Sequence, residues 1–161
     1  MPFHPEEIDA SSDFYETAPL IARGRAEFPV PAERLWELVE SFEWIPVISA
    51  RWQNSEPNGP GARRKLTLGP FLLSNEFVTR YEKNKELAFY IGEVPVPGAR
   101  AIAEKLTVDD LGPDRSALTY TFALAPKFFP DVQLHLINAI AQPIFSLIVK
   151  VGWTFGLWRT R

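Results

Sequence analysis

The sequence predicts an α+β fold in which one curved antiparallel sheet of about seven strands wraps around a long C-terminal helix, with two short helices after the first strand. Three observations carry this. The chain has 161 residues, 46% hydrophobic and 23% charged, the size and composition of one domain that can build its own core. Fifteen prolines, about twice the usual frequency of roughly 5%, fall mostly between apolar runs and cut the chain into elements. Period-two alternation fills the middle of the chain, whereas helical stripes lie near its start and at its end. Strands grouped together, with helices at defined points, indicate a sheet curled around a helix.

Residues 20–28 read as the first strand. Pro29 and Pro31 lead into residues 32–42, where Leu35, Trp36, Leu38, Val39 and Phe42 form a helical apolar stripe. A second short helix is expected around residues 44–49. Six strands follow: 50–56; 62–68, after Asn58-Gly59-Pro60-Gly61; 71–81, after Gly69-Pro70; 86–92, closed by Pro95-Val96-Pro97-Gly98; 100–108; and 116–124, beyond the turn from Asp109 to Asp114. The last element starts near Asp131 and runs helically towards Trp153. A bend or break is expected at Pro143, because an internal proline removes a backbone donor and crowds the preceding turn. The concave side of such a sheet, closed by the last helix, is where a ligand would sit.

Composition excludes several functions. The absence of cysteine rules out disulfide scaffolds, thiolate nucleophiles and cysteine zinc sites. A net charge of −3 argues against a nucleic-acid partner. One histidine beyond the extreme start, His135, and scattered acids give no metal-ligand spacing, so neither a metal nor another cofactor is expected. There is no serine elbow and no second usable histidine, hence no nucleophile-histidine-acid triad. Gly59-Pro60-Gly61 lacks the phosphate-binding pattern and reads as a turn.

Charge is unevenly placed. Residues 1–20 hold five acids (Glu6, Glu7, Asp9, Asp13 and Glu16) and no base, leaving 15 acids against 17 bases in the remainder. Residues 1–19 therefore read as an acidic, mobile extension, and residues 20–161 as a single ligand-binding domain. The start lacks the basic and apolar regions of a secretory signal, so a cytoplasmic location is expected. The longest uncharged apolar stretch, residues 132–149, is 18 residues long but is interrupted by His135, Asn138, Gln142 and Pro143. It reads as a buried core helix in preference to a membrane span.

That helix is apolar on two faces, with Leu134, Ile137, Ala141, Phe145 and Ile148 on one and Leu136, Ile140, Leu147 and Val151 on the other. The sheet covers only one. The other calls for the N-terminal segment (Phe14, Tyr15, Leu20), a second subunit or a membrane. Trp153, Phe155 and Trp158, beside Arg159 and Arg161, suit either an aromatic plug on the domain or a peripheral membrane contact.

Alternation assigns the inward faces: Arg64, Leu66 and Leu68; Ser74, Glu76 and Val78; Leu87, Phe89 and Ile91; Ile102, Glu104, Leu106 and Val108; Leu118, Tyr120, Phe122 and Leu124. Two acids and an arginine thus face an apolar interior, where a charge is expensive unless paired. Two readings stand side by side. In one, Arg64, Glu76, Glu104 and Arg100 form a satisfied ion-pair network. In the other, Glu76 or Glu104 is a general acid or base, with Arg64 or Tyr120 stabilising oxyanion character; a slip of strand register would instead leave one or more of these groups outside. His135 is a further catalytic candidate, and Asn138, one turn beyond it, is placed to offer a hydrogen bond to a ligand.

The order of elements, with Val30-Pro31-Ala32-Glu33-Arg34-Leu35-Trp36, resembles the opening of the SRPBCC superfamily, the START-like, helix-grip group of polyketide cyclases and lipid-transfer domains. Gly59-Pro60-Gly61-Ala62-Arg63-Arg64, Asn75-Glu76-Phe77-Val78-Thr79, Glu86-Leu87-Ala88-Phe89-Tyr90 and Ala117-Leu118-Thr119-Tyr120-Thr121-Phe122 resemble its turn-and-strand pattern. The resemblance covers about residues 20–155. It implies binding of a small hydrophobic ligand (a lipid, an isoprenoid or an aromatic polyketide-like molecule), with cyclase, aromatase or dehydratase chemistry, or a membrane- or protein-interaction module, as alternatives. The expected ligand-binding set is Arg64, Leu66, Glu76, Val78, Phe89, Ile102, Glu104, Tyr120, Phe122 and Asn138.

Overall fold

In the computed structural model, residues 2–42, 45, 47–53, 59–95, 97–128 and 135–160 are described. A short helix α1 (Phe14–Thr17) precedes strand β1 (Leu20–Phe28), which is followed by helix α2 (Ala32–Ser41). Six further strands, β2 (Ile48–Trp52), β3 (Arg63–Leu68), β4 (Phe71–Glu82), β5 (Glu86–Glu93), β6 (Ala99–Asp110) and β7 (Ser116–Pro126), lead to helix α3 (His135–Arg159). The strands form one antiparallel sheet in the order β1-β7-β6-β5-β4-β3-β2. Consecutive strands pair as hairpins, and β1 closes onto β7 from Leu20↔Leu124 to Phe28↔Ser116.

The expected second helix is corrected in part. Glu43, Trp44 and Pro46 lie outside the described residues, but Ile48 and Ser49 already belong to β2, paired with Leu68 and Thr67. Helix α3 is continuous through Pro143. Residue 139, whose carbonyl loses its intrahelical partner to the proline, is exposed along with Pro143, so water can satisfy it.

Register irregularities curl the sheet. In β4 the pairing with β5 shifts between Val78 and Arg80, with Thr79 the extra residue, so that Thr79 and Arg80 both turn to the side opposite Val78. A shift between Leu66 and Thr67 in the β3–β4 ladder makes Leu73 an extra residue on β4, and Leu68, expected inside, is exposed at the end of β3.

The main core lies on the concave side. Leu35, Trp36, Leu38 and Val39 of α2 and Val149, Trp153 and Leu157 of α3 pack there against Phe28, Val78, Leu87, Phe89, Leu106, Leu118 and Tyr120. Helix α3 crosses β1 at Gly24, where a Cβ would stand 2.8 Å from the backbone of Phe145 and Ser146. Only glycine permits that approach.

The convex side is buried as well, which corrects the expectation of a loose N-terminal extension. Ile8 and Tyr15 pack on Ala88, Ala101, Ala103 and Ala125. Phe3 bridges Val94 through hydrogen bonds of 2.8 and 3.0 Å, and the Glu6 N–H donates to the Arg100 carbonyl at 2.7 Å. The acidic segment meets bases of the outer face: Glu16 pairs with Arg23 at 2.6 Å and Lys105 at 3.1 Å, while Arg80 donates to the carbonyls of Ala10 and Ser12.

Candidate functional site

The concave face carries buried polar side chains on β3, β4, β6 and β7, on either side of β5. Arg64 on β3 and Glu76 on β4 are direct cross-strand partners, a register that sets their side chains against each other on one face. The Arg64 Nε–H donates to Glu76 Oε2 at 2.6 Å, and both residues are buried.

Helix α2 supplies the second contact. It ends at Phe42, which takes the left-handed conformation (φ 58°), and the last carbonyls of a helix lack intrahelical donors. Arg64 Nη1 donates to two of them, Val39 at 3.3 Å and Glu40 at 3.4 Å, placing a cation at the negative end of the helix. The rings of Phe42, Trp52 and Phe89 stand 5.1, 5.4 and 5.2 Å from the guanidinium carbon, close enough for cation–π attraction in a desolvated setting. The remaining nitrogen, Nη2, is buried and makes no hydrogen bond among the described residues.

Glu104 on β6 pairs in register with Phe89 of β5 and Phe122 of β7. Its Oε2 accepts a hydrogen bond from the Tyr120 hydroxyl. The Tyr120 ring packs in turn on Phe145 and Trp153 of α3, at 5.2 and 5.6 Å. Burial, and then the negative charge of Glu76, push the Glu104 carboxyl up to about 8, against the opposing pull of the Tyr120 bond and Arg64. Burial also raises Glu76, opposed by Arg64. Because an arginine does not deprotonate in a protein, its bond to Glu76 favours that carboxyl as the anion of the two and Glu104 as the one that holds the proton. Burial and the neighbouring Glu104 raise the Tyr120 hydroxyl well above its ordinary value, so it remains a donor.

Of the residues singled out in the sequence, Arg64, Leu66, Glu76, Val78, Phe89, Ile102, Glu104 and Tyr120 are all buried, and Phe122 is half-buried beside them. Asn138 is not with them. Its Oδ1 accepts the Ile21 N–H at 2.9 Å, capping the edge strand β1, and it borders a small polar depression with Glu16, Arg23 and Gln142. His135 opens α3, and its side chain lies outside the described residues. Trp153 is packed inside, whereas Phe155 and Trp158 lie on the surface. Among the described residues no group of acids and histidines has the arrangement of a metal site.

Sequence reasoning missed the box around Arg64. Phe42 sits at a helix end and Trp52 on the edge strand, and no periodicity links either to position 64. The preference of buried cations for aromatic faces was the available signal.

No protein-family model matches the chain. Among curated proteins it is 28% identical over 115 residues, 68% of either chain, to the uncharacterized proteins Rv2574 of Mycobacterium tuberculosis and Mb2604 of Mycobacterium bovis. Similar solved structures include XoxI from Bacillus cereus (16% identity, 87% of this chain and 94% of that one, TM-score 0.60) and a START superfamily protein from Mycobacterium smegmatis (17%, 81% and 92%, 0.58). A third is the di-domain ARO/CYC BexL of the BE-7585A biosynthetic pathway (10%, TM-score 0.60), of which this chain spans 44% while 83% of its own length is covered. With its element order, its antiparallel sheet and its long closing helix, the chain has the START-like, helix-grip fold.

Proposed function

We propose that the protein binds a small, mostly apolar molecule (a lipid, an isoprenoid or an aromatic polyketide-like compound) between the concave face of the sheet and α3, and holds its polar end at Arg64. The observation that carries this reading is the unused Nη2 of a fully buried guanidinium. A buried donor left without an acceptor costs about 1–3 kcal/mol, more for a charged group, and a carboxylate, phenolate or carbonyl oxygen on a ligand removes that cost. Phe42, Trp52 and Phe89 around it offer flat apolar walls to the ligand body. The test is native mass spectrometry and solvent extraction of protein purified without detergent, beside Arg64→Met. An apolar molecule bearing an acceptor oxygen, retained by the wild type and lost from a folded Arg64→Met protein, supports the reading. A ligand held equally by both overturns the role given to Arg64.

A second reading rests on Glu104. A carboxyl that keeps its proton up to about pH 8, hydrogen-bonded to Tyr120, suits a general acid in a cyclisation or dehydration of an enolisable substrate. It predicts a kcat/KM that falls above about pH 8, and a Glu104→Gln variant that binds ligand with unchanged affinity but no turnover.

A further inference from the structure

Among the described residues the outer face of α3 is left uncovered, and the N-terminal segment, packed on the opposite side of the sheet, does not reach it. From Ile137 to Trp158 this face carries eight large apolar side chains, each between 42% and 66% exposed. Their positions form a palindrome along the helix. Ile137 and Trp158 lie equally far from the point midway between Leu147 and Ile148, as do Ile140 and Phe155. Ile144 and Val151 mirror each other in the same way, and Leu147 and Ile148 flank the centre. In an antiparallel, two-fold helix pair each residue meets its mirror position in the partner, so a stripe that maps onto itself when the helix is reversed sets apolar against apolar along its whole length. The spacing of Ile137, Ile140, Ile144, Leu147 and Val151 by alternating three and four residues is the seam of such a pair.

We infer that this protein forms an isologous homodimer through α3, with the two helices antiparallel and crossing at Leu147 and Ile148. The surface suffices: eight side chains about half-exposed present roughly 800 Å² per copy, the contribution that each partner makes to a standard interface. A groove of about 540 Å³ lined by Lys150, Val151, Thr154, Phe155 and Trp158 lies where the second copy's Ile137 and Ile140 fall. The large aromatics at one end of the stripe thus meet the smaller aliphatics of the other end.

Charge favours a second copy over a bilayer. Interfacial helices are typically rich in Lys and Arg beside the apolar face, but α3 contributes only Lys150 and Arg159. Lys150 is turned back onto the domain, bonded to the Glu27 carbonyl and 4.7 Å over the Phe28 ring. Asn138 and Ser146, beside the stripe, are engaged by the backbone of β1. The chain as a whole is negative.

The absence of cysteine makes the arrangement directly testable. Light scattering of the full chain at about 100 µM should give twice the chain mass, and Leu147→Glu, which sets two like charges at the axis, should weaken the dimer at least about 100-fold with an unchanged circular dichroism spectrum. Under mild oxidation Leu147→Cys should link to itself. Ile144→Cys and Val151→Cys should link to each other when mixed and neither to itself, a readout that stands even if Leu147→Glu fails to fold. A monomeric wild type overturns the inference, as does Ile144→Cys linking efficiently to itself. A monomer that floats with phosphatidylcholine vesicles, with or without phosphatidylglycerol, overturns it in favour of a bilayer.

Discussion

Replacing Glu104 by glutamine keeps its shape and its place beside Tyr120 while removing its ability to ionise. In the folded protein burial, and then the Glu76 charge, hold this carboxyl up to about 8, whereas in the unfolded chain a glutamate titrates near 4.3. Between those values the native state binds a proton that the unfolded state has released. Stability is therefore highest below the unfolded value and is lost as pH rises towards the folded one. Each unit of displacement corresponds to about 1.4 kcal/mol, so the whole window is worth roughly 5 kcal/mol in order of magnitude. The assay is urea unfolding of wild type and Glu104→Gln across a series from about pH 5 to about pH 9, read as the difference between the two, so that every other titrating group cancels. The wild type should lose roughly 1.4 kcal/mol per pH unit relative to the variant up to about pH 8 and run parallel to it above. Parallel curves throughout, or a wild type that gains on the variant as pH rises, would show that Glu104 is ionised in the folded state and would refute the proton assignment.

Three further outcomes follow from the packing. Glu76→Ala leaves the buried Arg64 guanidinium without its counter-charge and should cost about 3–5 kcal/mol in chemical denaturation; a loss within about 0.5 kcal/mol would mean that the pair is solvated. Gly24→Ala pushes a methyl group into the α3 backbone at 2.8 Å, where no side chain can yield, and should lower stability by about 2–3 kcal/mol; an unchanged melting temperature would place α3 farther from β1. Tyr15→Ala removes a buried ring that bonds the Thr79 hydroxyl at 3.1 Å and should cost about 3–5 kcal/mol, whereas a neutral result would return residues 2–19 to the role of a loose extension.

The concave half of the molecule was legible because it obeys a single rule. Period-two alternation placed Arg64, Glu76, Phe89, Glu104 and Tyr120 on one face, and the structure buries them all there. Alternation could not say where a strand leaves the core: Leu68 keeps its register with Ile48 but, as the last residue of β3, is exposed. It also could not say how the charges are divided. That depends on three-dimensional neighbours: α2 ends so that two free carbonyls meet Arg64, which ties Glu76 to the cation and leaves Glu104 with a tyrosine.

The convex half was misread for a reason that is visible in the residues themselves. An antiparallel strand with one wet face alternates large apolar with polar, yet here the outward positions of β5, β6 and β7 include Ala88, Ala101, Ala103, Ala117, Ala123 and Ala125, all buried. Alanine neither gains from water nor fills space, and a run of it across three neighbouring strands marks a floor kept low for something laid on top. The acidic residues 1–20 and the slightly basic remainder were two sides of the same contact: Glu16 between Arg23 and Lys105, and Arg80 reaching the carbonyls of Ala10 and Ser12, fix where the segment lies. Such half-exposed pairs are worth little individually, so the energy of docking comes from burying Ile8 and Tyr15 on the alanines and the charges set the register. With the N-terminal segment committed to that face, it cannot also cover α3, and the apolar palindrome from Ile137 to Trp158 is left for a second copy of the chain.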